Sequence, residues 1–257
     1  RAPAAEPWPA VERSEPAGEA AEPKAAYELL EPAPYSPVGI EADFAARRVE
    51  VHLPWADGPQ RRAPPFCAVV HGVMTAEEVD ALRGWSERRG EWKHADSARR
   101  KGFIAELSDG ALTAELWRRL QGYVPTELEG KRAVGLRDHL RFLQYFPGQF
   151  FAPHCDGSQS ATAGDGVFQR SLLSAILYCS DPEDGCGVGG TRFVSPACEA
   201  AAAGRCEGPC AQCVDAPVGK GAVLLFSHNL EHAGTAPHKD RKVVMRTDVM
   251  YADGQKK

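Results

Sequence analysis

Residues 140–157 read LRFLQYFPGQFFAPHCDG, and the organisation of the chain follows from that stretch. An aliphatic and aromatic run is interrupted at Pro147-Gly148 and resumes before His154-Cys155-Asp156. Apolar runs bounded by Pro and Gly read as buried strands joined by a tight turn, which sets the tripeptide at a strand end. In extended chain, residues i and i+2 project from the same face. His154 and Asp156 can therefore aim an imidazole and a carboxylate at one point while Cys155 faces away. An isolated H-x-D means little by itself, so its setting has to supply the weight.

Working outward, further strand-like runs follow in SLLSAILYCS, in TRFV after the Gly189-Gly190 turn, in GAVLLFSH and in KVVMRTDVMY. Short apolar strands separated by Gly, Pro and Asp, with no helix-length periodic segment after about residue 140, predict an antiparallel sandwich or barrel. Ahead of this block, ARRVEVHLPW alternates Val and Leu with polar groups and predicts an edge strand, and FCAVVHG predicts a short strand. Thr75 then opens a helix, with Glu78 placed for a capping box and Val79, Leu82 and Trp85 at helical spacing. ALTAELWRRLQGYV predicts a second helix over 111–124. Both helices read as structural supports for the sheet.

His232, in LLFSHNLEHAG, offers a second imidazole from a distant strand. Two histidines and one carboxylate on one face of an ion, with the opposite positions open, form the ligand set of non-haem Fe(II) oxygenases. At this point the pieces YFPGQFFAPHCDG, RSLLSAILYCSD, GGTRF, PVGKGAVLLFSHNLEHAG and KVVMRTDVMY, in that order, resemble the 2-oxoglutarate and Fe(II)-dependent oxygenases of the prolyl 4-hydroxylase-like type. The resemblance spans roughly residues 66–251. It implies a mainly β (α+β) fold, a double-stranded β-helix or jelly-roll core buttressed by N-terminal helices. It also implies His154, Asp156 and His232 as iron ligands, with 2-oxoglutarate as cosubstrate, dioxygen as co-reactant and ascorbate as a supporting reductant. His228 competes with His232 for the third position, and the family's small residue and Gly after its ligand, matched by Ala233-Gly234, favour His232. His228 then reads as a packed histidine near the site.

A buried dicarboxylate needs a fixed cation, because a charge-assisted hydrogen bond offsets the cost of desolvating it. Lys242 matches the family's position for the residue that holds the distal 2-oxoglutarate carboxylate. Arg246 lies on the same strand face and offers a bidentate fork instead. The resemblance places the hydroxyls of Tyr145 and Ser174 on that same carboxylate, Ser174 standing where Thr is more usual. Arg241 alternates to the other face and reads as a solvated edge charge. Three function classes follow: hydroxylation of a prolyl or other protein side chain, the same chemistry on a small molecule such as a free amino acid or natural product, and a catalytically silent jelly-roll that binds a partner. An intact ligand set plus cation favours the first two.

Composition sets the rest. Residues 1–38 are crowded with Ala, Pro and Glu and carry few large apolar side chains, which reads as a tail or linker, with the oxygenase-like domain over 39–257. The net charge of -5 gives no footprint for general nucleic-acid binding. The basic cluster Arg88, Arg89, Lys93, Arg99, Arg100, Lys101 follows a helix and reads as a solvated face. No apolar run approaches membrane-spanning length, so the expectation is a soluble protein, cytoplasmic by preference. A chain that begins with Arg also leaves an organellar or secretory route open. Five of the eight Cys fall between residues 186 and 213. Cys198, Cys206, Cys210 and Cys213, within a Cys-rich insertion at 195–215, fit a zinc site, disulfides or loose thiols. Because the insertion falls where the resembling family has a short loop, it is placed to shape substrate choice.

Overall fold

The apolar runs pair into two antiparallel sheets in the computed structural model, which describes residues 46–56, 65–164, 166–181, 189–199 and 210–253. The chain divides into two units, Arg1–Ala33 and Pro34–Lys257. The first unit, and with it the tail expected over 1–38, lies outside the described residues.

In chain order the elements are β1 (Arg47–Glu50), β2 (Cys67–His71), α1 (Ala76–Arg89), β3 (Lys93–Asp96), β4 (Lys101–Ser108), α2 (Gly110–Leu120), β5 (Glu127–Leu128), β6 (Lys131–Leu136) and β7 (His139–Tyr145). They continue with β8 (Phe151–His154), β9 (Ser160–Thr162), β10 (Phe168–Tyr178), β11 (Thr191–Phe193), β12 (Val214–Asp215), β13 (Val223–Ser227), β14 (His232–Gly234) and β15 (Lys242–Asp253). The larger sheet runs β1-β2-β13-β10-β15-β7-β4-β3, with β5, β6 and β9 attached alongside; the smaller runs β12-β11-β14-β8. Packed face to face, they make the mainly β jelly-roll that the sequence implied.

Strand alternation sorts the side chains of the larger sheet between two cores. Val243, Met245, Phe142, Leu173, Ala175 and Leu177 pack with Val79, Leu82 and Trp85 of α1 and Leu112 and Leu116 of α2. Val244, Leu143, Tyr145, Ile176 and Phe226 turn the other way, toward Phe193 and Phe151 of the smaller sheet. A sheet covered on both faces needs apolar residues at every position, which is why its strands read as unbroken runs. It also explains why Lys242 and Arg246 stand out, since both flank Val244 in the two-residue period of β15 and so belong to its inter-sheet side.

The helices seal the outer face. Thr75 accepts from the Glu78 N–H and Glu78 accepts from the Thr75 N–H, the expected capping box. The Glu78 carboxylate also meets Arg119 of α2 at 2.8 Å, tying the two helices through a buried pair. Leu82 is fully buried, so its truncation to Ala would cost about 2–5 kcal/mol. The second helix stops short of the expected 124. It gives way to a 3-10 turn at Gln121–Tyr123, because Val124 precedes Pro125 and takes extended backbone.

Several strands escaped the sequence reading, β3, β4 and β6 among them. The basic stretch around residues 93–101 is solvated as expected, Arg100 being half-buried, but it also forms the β3–β4 hairpin, and β4 pairs with β7 from Phe103 to Ser108. Few β-branched residues and many charges hid it, and pairing with β7 supplies what local propensity lacks. β6, pairing with β15, was hidden in the same way. β1 is the sheet edge expected from ARRVEV.

Candidate metal centre and its pocket

β14 lies beside β8 with His232 directly opposite His154. β8 ends at His154, and just beyond it the Asp156 N–H donates to the His228 carbonyl at 3.1 Å. Asp156 therefore reaches the histidines from immediately past the strand end, where the tripeptide was expected to lie. His154 Nε2 is 3.7 Å from Asp156 Oδ1 and His232 Nε2 is 3.6 Å from Asp156 Oδ2. One donor atom from each of the three lies within 4.8 Å of the others. His228 stands apart, with Nε2 3.4 Å from Asp248 Oδ1.

The local chemistry prepares these groups for a cation. His154 Nδ1 lies 2.9 Å from the Ala152 carbonyl and His232 Nδ1 3.0 Å from the Leu230 carbonyl. A carbonyl can only accept, so in each neutral ring the proton sits on Nδ1 and the Nε2 lone pair faces the cluster. Burial, with His232 close by, lowers the His154 pKa to about 4, and burial lowers that of His232 as well. Both rings are thus neutral at physiological pH. Burial alone would raise the Asp156 carboxyl, but the Arg246 guanidinium, His232 and the Ser174 hydroxyl outweigh it and hold the group below the usual carboxylate range. Two neutral imidazoles and an ionised carboxylate are the protonation states a divalent ion requires. Phe151 stacks on His154 at 3.5 Å between centroids, and Phe226 meets the edge of His232 at 4.6 Å, which fixes both rings.

Asp156 is clasped from β10 and β15. Ser174 Oγ donates to Oδ2 at 2.5 Å, and Arg246 Nη1 lies 2.9 Å from Oδ1. Arg246 Nη2 reaches Asp248 at 3.0 Å. Both residues that the resemblance assigned to a distal carboxylate thus touch Asp156. The cause is register: Ser174 pairs with Asp248 and Ile176 with Arg246, so both side chains arrive beside the segment that carries Asp156.

Lys242 stands at another part of the same pocket, opposite Tyr145 in the β7–β15 register. Its Nζ donates to the Gly190 carbonyl at 2.5 Å and lies 5.5 Å from the centre of the Tyr145 ring. The ammonium is completely buried and, among the described residues, makes no ion pair. Burial drags its pKa down to about 7. The Tyr145 hydroxyl, pushed up to about 12 by burial, has no hydrogen-bond partner among the described residues. Gly234 keeps the space beside the ammonium open, since a Cβ there would lie 3.6 Å from Nζ.

Lys242, Tyr145, the triad and Arg246 line one pocket together with Arg100 and Arg141. The last two were not singled out by the sequence reading. Arg100, expected on a solvated face, bridges to Phe151 and lays its guanidinium 3.5 Å from the centre of that ring. Its Nε is buried without a hydrogen-bond partner. Only the isolated pairing of residue 100 with residue 151 brings it inward, and no local pattern announces that pairing. Arg241 pairs with Glu87 on the surface, as an edge charge does. Cys198, Cys210 and Cys213 gather elsewhere, and Cys206 lies outside the described residues. Among the described residues no helix is long and apolar enough to cross a membrane.

No protein-family model and no curated protein matches this chain. Similar solved structures include a viral collagen prolyl hydroxylase from Paramecium bursaria Chlorella virus-1 in complex with 2-oxoglutarate. It is 14% identical, with 71% of this chain and 94% of that chain covered and a TM-score of 0.48. A Pseudomonas putida prolyl-4-hydroxylase is 20% identical, with 69% and 88% covered and a TM-score of 0.44. HygX from Streptomyces hygroscopicus, with nickel and 2-oxoglutarate bound, is 18% identical, with 74% and 83% covered and a TM-score of 0.48. These neighbours are 2-oxoglutarate and Fe(II) oxygenases, prolyl hydroxylases among them.

Proposed function

We propose that the protein is an Fe(II)- and 2-oxoglutarate-dependent dioxygenase that hydroxylates a C–H bond of a prolyl or other protein side chain, releasing succinate and carbon dioxide. One observation carries the reading: a convergent His-Asp-His set ready for a divalent ion shares a pocket with a buried lysine that, among the described residues, no carboxylate neutralises. A metal would answer the first and a dicarboxylate the second. The choice of a protein side chain rests on the likeness of YFPGQFFAPHCDG and its companion motifs to the prolyl 4-hydroxylase-like type.

His154, Asp156 and His232 would hold the iron, which would supply hydroxylation chemistry with dioxygen as the oxidant and the keto acid as the co-reductant. The chain's own work is positioning. The Nδ1 hydrogen bonds keep both Nε2 lone pairs aimed inward, and Ser174 and Arg246 hold the carboxylate ionised and fixed. Lys242 would grip the distal carboxylate as a charge-assisted partner, with the Tyr145 hydroxyl as a second donor. Leu143, Ile176 and Val244 line the same pocket and keep bulk water from it. Arg100 and Arg141 would face the substrate.

The test is succinate formed from 2-oxoglutarate by the iron-loaded protein, with and without ascorbate, first alone and then with proline-containing peptides and free amino acids. Succinate is expected, accompanied by a one-oxygen mass gain on a peptide. A gain confined to free amino acids would move the substrate to the small-molecule class, and no succinate under any condition would return the chain to a binding module.

A further inference from the structure

The insertion between β11 and β12 holds a second cluster of metal-ligating groups, and it owes nothing to the reading of the pocket. Cys198 follows β11 through a turn in which its N–H donates to the Ser195 carbonyl at 2.9 Å. Cys210 and Cys213 share a second turn, Cys213 N–H donating to the Cys210 carbonyl, immediately before β12. The three sulfurs all lie within 4.8 Å of one another, against Val194. Cys198 is buried at 3% exposure.

The geometry points to a structural zinc site formed by the Cys198, Cys210 and Cys213 thiolates. Sulfurs at about 2.3 Å from a tetrahedral zinc stand about 3.8 Å apart. Cys198 Sγ and Cys210 Sγ are separated by 3.7 Å. A disulfide would close that gap to about 2 Å, and it would give no reason for a third sulfur to converge, because it joins only two. Soft thiolate donors select zinc over the hard cations that carboxylates and carbonyls prefer. Three thiolates leave one tetrahedral position for a further donor.

The place of the cluster gives the ion its role. β11 and β12 pair through Arg192 with Asp215 and Phe193 with Val214, and Arg192 also grips the Asp215 carboxylate in a two-pronged ion pair at 2.7 and 2.8 Å. The thiols stand at the loop end of this hairpin, where a shared ion would join the segment leaving β11 to the segment entering β12. On its other edge β11 pairs with β14, Phe193 opposite His232. Zinc would thus brace the edge of the sheet that carries one of the pocket histidines.

The experiment is metal analysis of the full chain purified without chelators, followed by replacement with cobalt. The expected result is about one tightly held zinc per chain and intense sulfur-to-cobalt charge-transfer absorption. The His154, Asp156 and His232 set has no sulfur and cannot produce that absorption. Cys198→Ser and Cys213→Ser should each lose the zinc and the absorption, while Cys155→Ser, an exposed thiol outside the cluster, should keep both. Should a cluster variant fail to fold, the cobalt spectrum of the unaltered chain still decides. A spectrum lacking sulfur charge transfer, a chain that neither retains nor takes up zinc, or an intact mass showing the thiols oxidised to a disulfide would each overturn the site.

Discussion

Two parts of one pocket are built on opposite electrostatic plans. Around Asp156 charge is answered within the protein: Arg246 pairs with it, Ser174 donates to it, and Asp248 takes the other arm of the guanidinium. Around Lys242, among the described residues, the ammonium meets a neutral carbonyl and an aromatic ring and no carboxylate, and it is driven toward deprotonation. The lesson is that the Asp156 end is already organised and offers lone pairs, whereas the Lys242 end becomes electrostatically complete only when an anion arrives. Lys242 and Arg246 are near neighbours on β15, and their different surroundings, more than their charge, are the ground for proposing the first as a ligand-binding cation.

The largest effect should come from the organised end. His154→Ala removes one of three donors, and Fe(II) binding and succinate formation should both fall below detection, as read by metal titration and turnover. Next comes Lys242→Ala, which leaves a bound carboxylate buried without its partner. The affinity for 2-oxoglutarate should drop by about 30-fold to several thousand-fold, from a loss of roughly 2–5 kcal/mol, with metal affinity unchanged. If metal affinity fell instead, the two ends would not be separate.

Ser174→Ala should do the converse. Its target is the group that orients a ligand, so metal affinity should weaken by about 10- to 100-fold, with little change in keto-acid affinity measured at saturating metal. pH should then sharpen the contrast. The cation grips the anion, and Lys242 loses its proton as pH rises through about 7. Above that point 2-oxoglutarate affinity should weaken by about tenfold per pH unit, and below it should level off. In Lys242→Arg the weakening should vanish, because a guanidinium stays charged. The smallest effect should be Tyr145→Phe, about 1 kcal/mol or several-fold in 2-oxoglutarate affinity from one lost hydrogen bond.

The sequence carried the frame of this molecule further than its details. Continuous apolar runs and the Pro-Gly and Gly-Gly turns were enough to find β7, β8, β10, β11, β13 and β15, and the larger sheet, buried on both faces, leaves the least ambiguity in its runs. The convergence of His154, Asp156 and His232 could be read from a tripeptide and one remote histidine, Asp156 lying just past the strand end. What could not be read depends on pairing. Ser174 and Arg246 meet Asp156 because of the β10–β15 register, and neither residue reveals that register on its own strand. Arg100 sits among charges that look solvated, and only its bridge to Phe151 turns it toward the cavity. The Cys spacing allowed a metal or disulfides, and only the distance between sulfurs separates them.

The most direct test of the account compares two keto acids on the iron-loaded protein without oxygen: 2-oxoglutarate, and 2-oxobutyrate, which lacks the distal carboxylate. The account predicts a strong preference for 2-oxoglutarate in the unaltered chain, and near equality of the two in Lys242→Ala. A preference that survived the substitution undiminished would contradict it, because Lys242 would then not be the group that seats the cosubstrate.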